Sequence, residues 1–343
     1  RHTMTDPLLE PLVFRNGRVA PNRCWLAPMT NKSSHPDGHL SEDELRFLTA
    51  RAEGSFGVVE TCATHVSIEG QGWENEFGIF DDVLTPDWRR LAAAVQEHDV
   101  LLLAQLFHGG ARALRGEDRP LPWSASASDE EDAPVRRGSE ADILAVIEAF
   151  AEAARRAESA GADGVELHGA HGYLLCQFLS TTLNRRDDRW GGALEGRARL
   201  LRETMRATRA AVSDRFIVGV RLSPESFGGL TGLDLDESIQ VARWMCEDGA
   251  DFIHLSLWDA SRDSTKRPGV HTARAFRDAL PEEVPIITAG KVWTREDALA
   301  QLEHGASAVA VGRAAIADAR WPERVAAGRE PRRPPLTPRE LAA

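Results

Sequence analysis

The sequence repeats one motif: a short run of β-branched and apolar residues, a turn, then an amphipathic stretch long enough for a helix. Cys24–Met29 is followed by Ser41–Ala52, Val58–Ala63 by Pro86–His98, and Leu101–Leu106 by Ser139–Ala160. Gly164–Leu167 leads to Leu194–Val212, Phe216–Leu222 to Asp234–Asp248, and Phe252–Leu255 to Thr272–Leu280. Ile286–Ala289 precedes Thr294–His304, and Ala308–Val311 precedes shorter helical pieces from Ala314 to Ala327. The helical stretches carry their own punctuation. Ser41 with Glu44 reads as a capping box, and Gly161 stops an Ala-rich helix whose Ile143, Ile147 and Phe150 fall at helical spacing. Runs such as Ile217–Val220 and Ala308–Val311 are apolar on both faces, as expected of a parallel sheet covered by helices. Eight such units in roughly 300 residues is the arithmetic of an α/β (β/α)8 TIM barrel; a doubly wound sheet of six to eight strands is the rival.

Residues 4–327 are expected to form that barrel as a single domain. Arg1-His2-Thr3 ahead of Met4 reads as an added remnant, and residues 328–343 as a proline-rich tail that cannot be helical. Two long connections, 107–138 and 256–271, follow strands and so belong to the C-terminal face, where barrel enzymes keep specificity.

Charge and composition narrow the function. Acidic residues outnumber basic ones 53 to 41, a net charge of −12 that repels phosphate backbones and anionic membrane surfaces, so no nucleic-acid or membrane partner is expected. Val100–Ala104 is cut off by Gln105, and no run approaches the ~18 apolar residues of a membrane span. The 4 cysteines lie far apart without a C-x-x-C pair, which argues against a disulfide framework or a cysteine metal site. With no secretory leader visible, a cytoplasmic enzyme is the expectation.

Three local signals carry chemistry. His168, His171 and Tyr173 follow the fourth strand, where a barrel opens into its site. The histidines read as metal ligands, as paired hydrogen-bond donors, or as polar residues satisfied in a loop; no H-E-x-x-H or cysteine pair supplies a third ligand. Tyr173 is the only tyrosine among 22 aromatic residues, which is unusual for a mere core filler. Arg221 ends an apolar strand and presents a permanently charged fork to an electron-rich ligand edge, or else pairs with a carboxylate at the barrel mouth. Gln105 ends its strand similarly, offering both donor and acceptor. Finally, Gly290-Lys291 and Gly312-Arg313 follow strands seven and eight, where barrels build a phosphate site. No G-x-G-x-x-G opens a helix, so the phosphate ligand is expected to be a mononucleotide.

Together these residues resemble the Old Yellow Enzyme family of FMN-dependent ene-reductases, over residues 8 to 327. The resemblance rests on Asn22-Arg23, Ala27-Pro28-Met29-Thr30, Gly57–Glu60 with Ala63 and Ser67–Gly70, Ala104–Gly110, Gly161–Ser180, Asn184–Gly192 and Ala310–Ala314. It implies FMN as cofactor and NADH or NADPH as reductant. Ala27, Pro28, Met29 and Thr30 would lie along the flavin, with Thr30 near O4, and Ala63 and Gln105 would meet the pyrimidine edge. Arg221 would face N1 and O2, while Gly290, Gly312 and Arg313 would hold the phosphate. His168 and His171 would hydrogen-bond an electrophilic alkene substrate, Tyr173 would protonate its α-carbon, and no metal would be needed.

Departures from the family pattern matter too. Phe107 stands where Trp is common and is expected to contact substrate and reshape the pocket. The usual His-Ala-Gly-Arg becomes His108-Gly109-Gly110-Ala111-Arg112, which leaves the role of Arg112 open. Trp190 replaces Tyr ahead of Gly191-Gly192, and Thr30 replaces the Cys of one branch. A quinone or nitro-ester reductase is an alternative within flavin chemistry, and a metal-dependent lyase or hydrolase using the two histidines is one outside it. Family members are often dimers or larger, so the resemblance leaves a homo-oligomer open.

Overall fold

A computed structural model of the chain describes residues 6–130 and 133–332. Its centre is a closed barrel of eight parallel strands: β1 (Cys24–Leu26), β2 (Val58–His65), β3 (Leu101–Phe107), β4 (Gly164–Gly169), β5 (Ile217–Leu222), β6 (Phe252–Ser256), β7 (Ile286–Ala289) and β8 (Ala308–Val311). Each strand pairs with its successor in sequence, and β8 pairs with β1 to close the ring. The helices α1 (Glu42–Glu53), α2 (Thr85–Gln96), α3 (Glu140–Ser159), α4 (Arg199–Ala211), α5 (Leu235–Asp248), α6 (Thr272–Ala279), α7 (Arg295–Glu303) and α8 (Arg313–Ala317) follow the strands in turn. This is the (β/α)8 TIM barrel expected from the repeat, and the doubly wound alternative is excluded by closure. The expected remnant at 1–3 and positions 333–343 of the tail lie outside the described residues.

Local chemistry sets the element ends. A capping box joins Ser139 and Asp142 at the start of α3, and another joins Thr294 and Asp297 at α7. At α1, Ser41 caps the Glu44 N–H, but the expected reciprocal bond does not form. Glu44 is fully buried and instead accepts from Asn31, Ser34 and Cys62. Asp163 and Asp251, just ahead of β4 and β6, accept the Leu102 and Val218 N–H groups at 2.8 and 2.9 Å, tying neighbouring strands together at the bottom of the barrel.

The barrel interior is layered. At the bottom, Phe14, Trp25 and Phe252 pack with ring centroids 5.1–6.0 Å apart, Phe252 meeting the other two edge to face, in one cluster with Leu12 and Ala20 of a small hairpin, Leu12–Val13 with Val19–Ala20. Gly219 is obligatory there, because a Cβ would sit 2.2 Å from the Phe252 ring. Above this plug β2 bulges between Glu60 and Ala63, an irregularity that re-aims the rest of the strand toward the upper mouth.

Candidate active site

The C-terminal strand ends border two adjoining cavities. One of 60 Å³ is bounded by Thr30, Ala63, Gln105, His168, His171 and Tyr173. The other, of 240 Å³, runs past Ala27 to Gly290, Gly312 and Arg313. Pro28, Met29 and Arg221 border both, so the barrel brings every sequence-predicted site residue except Phe107 to one crevice.

Arg221 sits at the junction. Its Nη2 donates to Ser256 Oγ at 3.2 Å, and its buried Nε has no partner. Glu166 and Glu60 act on it through space from below. Glu166 is fully buried, accepts from Gln105 Nε2 at 2.9 Å and meets His254 Nδ1 at 2.7 Å. Burial alone would raise its carboxyl, but His254, through its charge and hydrogen bond, and the Arg221 cation outweigh it and hold Glu166 below the usual carboxylate range. Burial and the facing Glu166 carboxylate push Glu60 well up, so of the two carboxyls Glu60 is the one that favours its protonated form.

His168 is buried, and its Nδ1 accepts the Ala170 N–H at 3.3 Å, which leaves the hydrogen on Nε2. Burial and then the nearby Arg221 cation depress its imidazole from 6.5 to about 3, so it is a neutral donor through the working pH range. His171 is pushed down by the same causes, and its Nε2 lies 2.5 Å from Ser256 Oγ. Its backbone has φ +60, a left-handed conformation that turns the chain sharply between His168 and Tyr173. The rings of His168 and His171 stand 5.1 Å apart, and that of Tyr173 is 5.1 Å from His168.

Some expectations change. Phe107, expected to contact substrate, is fully buried and packs edge-on to Tyr173 at 4.7 Å; the aromatics that border the cavity are Tyr173 and Trp73, the latter from the loop after β2 and 5.1 Å from Phe107. Beside Trp73, the buried Glu76 pairs with His65 and accepts the Gly72 N–H, tying this loop to the end of β2. One donor of Gln105 is committed to Glu166 rather than free for a ligand. Among the described residues, three ligand-type side chains converge at Glu60, Glu166 and His254, not at His168 and His171. Glu60 and Glu166 had a visible signal: each is a carboxylate at the third position of a fully buried barrel strand, directly after an apolar residue.

The crevice fits a flavin mononucleotide on its own terms. An orphaned guanidinium Nε waits at the junction, and two strand-end glycines form the far wall. Gly290 has φ +146, and a Cβ there would lie 2.2 Å from the Leu257 carbonyl oxygen. A Cβ on Gly312 would press on Met29 Sδ at 3.1 Å. Lys291 and Arg313 supply cations beside both glycines, which suits a phosphate.

A family model described as NADH:flavin oxidoreductase / NADH oxidase matches residues 7–332. The chain is 36% identical over 335 residues to "Probable NADH-dependent flavin oxidoreductase YqiG" of Bacillus subtilis, covering 94% of this chain and 89% of that protein. It is 33% identical to an NADH:fumarate oxidoreductase of Klebsiella pneumoniae over 96% of this chain but 37% of that protein, so it spans little more than a third of that relative. Morphinone reductase superposes with a TM-score of 0.86 at 28% identity, covering 99% and 94% of the two chains. An old yellow enzyme homologue from Zymomonas mobilis gives 0.84 at 28% identity, covering 98% of each. Among the described residues no helix is long and apolar enough to cross a membrane. The chain therefore belongs to the NADH:flavin oxidoreductase / NADH oxidase family, as an FMN-dependent oxidoreductase of the Old Yellow Enzyme type that draws its electrons from NADH or NADPH.

Proposed function

We propose that the enzyme reduces the activated C=C bond of enones, maleimides or nitroalkenes in two successive half-reactions at one site. FMN, when bound, would supply the hydride chemistry that links nicotinamide oxidation to reduction at the alkene β-carbon. The chain's own residues do the rest. Gly290, Gly312 and Arg313 would hold its phosphate, Ala27 to Thr30 would lie along its ring system, and Ala63, Gln105 and Arg221 would meet its pyrimidine edge. His168 donates from Nε2 to the carbonyl or nitro oxygen of the substrate, and His171 joins it by exchanging its bond to Ser256. Drawing electron density to that oxygen makes the β-carbon electrophilic. Tyr173 gives its phenolic proton to the α-carbon, and the phenolate left behind is reprotonated from water. Four buried free cysteines suit a reducing, cytoplasmic setting.

One observation carries this reading: neutral His168 and Tyr173 share the small cavity that also reaches Arg221. Tyr173→Phe tests it. Stopped-flow reduction of the flavin by nicotinamide should stay within a few-fold of wild type. Reoxidation by cyclohexenone should slow by ~10²–10⁴, the usual contribution of a positioned acid. Reoxidation by a quinone, which needs no carbon protonation, should persist. Intact enone turnover would show that another group is the acid; turnover of quinones alone in the wild type would make the enzyme a quinone reductase.

A further inference from the structure

No step above uses Arg112, which the motif His108–Arg112 places on the connection after β3. In the structure it lies on the short turn Gly110–Arg112, with its guanidinium carbon 4.3 Å from the centre of the Tyr173 ring. Nη1 donates to the His171 carbonyl at 2.6 Å, so the side chain is held over the ring although it is exposed on its outer side. The turn is also clamped to the short helix that begins after Tyr173. Gln177 of that helix accepts the Ala111 N–H at 3.0 Å and donates to the Gly172 carbonyl at 2.8 Å. Gly110, at φ +58, permits this approach, since a Cβ would lie 2.2 Å from Gln177 Oε1.

We infer that Arg112 is a positioning residue for the proton donor, lying across the Tyr173 ring so that its cation stabilises the phenolate left when the proton departs. The inference rests on Tyr173 being that donor. A cation over a neutral phenol gains only the ring quadrupole, whereas over a phenolate it gains a full charge. The difference is felt as the proton leaves, which is where assistance to an acid is useful. The other groups around the ring offer nothing equivalent. Phe107 and His168 meet it edge-on at 4.7 and 5.1 Å, and His168 is neutral. Burial raises the Tyr173 phenol and the Glu76 carboxyl raises it further, while Arg112 pulls the other way.

The chain holds a single tyrosine, so the ultraviolet phenolate band of the holoenzyme, taken as a difference against Tyr173→Phe, reports this one group. Rapid pH jumps read it before alkaline unfolding. Arg112→Met should raise the midpoint by roughly 0.5–1 pH unit, the size of a partly exposed cation beside an aromatic anion. Arg112→Lys, which keeps the charge, should recover part of the shift, and Arg115→Met on the same connection should leave it unchanged. The Met variant should also slow enone reoxidation by about 3–10-fold while leaving quinone reoxidation alone, as expected for a weakened acid. An unmoved midpoint in Arg112→Met, or a shift equal in Met and Lys, overturns the inference. A shifted midpoint together with full enone turnover in Tyr173→Phe would instead remove the acid role on which it rests, leaving the electrostatic coupling without a catalytic purpose.

Discussion

The neutrality of His168 has a cost that appears as acid sensitivity, and replacing the residue should remove it. His168 is 4% exposed, and burial with Arg221 lowers its imidazole from 6.5 to about 3. In the unfolded chain the same group protonates near 6.5. Its folded value is lowered, so below pH 6.5 the unfolded state binds the extra proton. The stability contributed by neutral His168 is therefore present above pH 6.5 and lost as pH falls toward 3. For one such group the loss between pH 7 and pH 5 is about 2 kcal/mol, growing to about 4 kcal/mol once pH falls to the folded value. Gln at this position keeps an N–H donor and does not titrate. Urea unfolding of FMN-saturated wild type and His168→Gln at pH 7 and pH 5 gives a double difference in which every other titrating group cancels. Wild type should lose about 2 kcal/mol more than the variant across that interval. Equal losses would mean that folded His168 titrates near its ordinary value. It would then carry a proton on Nδ1 in mildly acidic solution, clash with the Ala170 N–H and cease to be a neutral donor.

Two further outcomes follow from the crevice. Gly290→Ala, at φ +146 and with its Cβ 2.2 Å from the Leu257 oxygen, should displace the loop and weaken FMN retention by at least about tenfold, read by flavin fluorescence after dialysis; unchanged retention would detach this loop from the phosphate. Glu166→Gln should cost about 3 kcal/mol in urea unfolding at pH 7 because it strands Arg221, whereas Glu60→Gln, replacing an already protonated acid, should cost under about 1 kcal/mol; equal costs would place the proton elsewhere.

The barrel was legible because its information is local: each strand reads as an apolar run and each helix as a period with caps. Misreadings arose where a side chain found a distant partner. Ser41 and Glu44 have the spacing of a capping box, yet nothing near them in sequence announces that Asn31, Ser34 and Cys62 will draw Glu44 inward. Leu194–Val212 reads as one helix, but the structure divides it into Leu194–Arg197 and Arg199–Ala211, with Arg197 buried and paired to Glu237. Strand-end residues such as Arg221 and His168 could be placed because a barrel sends every strand end to the same mouth. Phe107 and Trp73 could not. Which of two aromatics faces the cavity depends on the loop after β2, in which the buried Glu76 pairs back to His65 at the strand end, a contact that the local sequence does not announce.

The layering of the barrel explains why these parts act together. A permanent cation at the mouth cannot be buried above an apolar plug without a counter-charge below it. Glu166 supplies that charge and His254 orients it, while Glu60, pushed toward its protonated form, adds bulk with less need of a second negative charge. Arg221 is thus balanced from beneath but left with an unpartnered Nε. Its positive potential extends into the crevice, where it favours the electron-rich edge of a flavin and disfavours a second cation. The histidines lie within that potential, which joins burial in keeping them uncharged. On the proposed reading, one buried arginine would therefore do two things at once: draw the electron-rich edge of the cofactor and help burial keep His168 and His171 neutral. The carboxyl pair beneath it makes both compatible with a folded core.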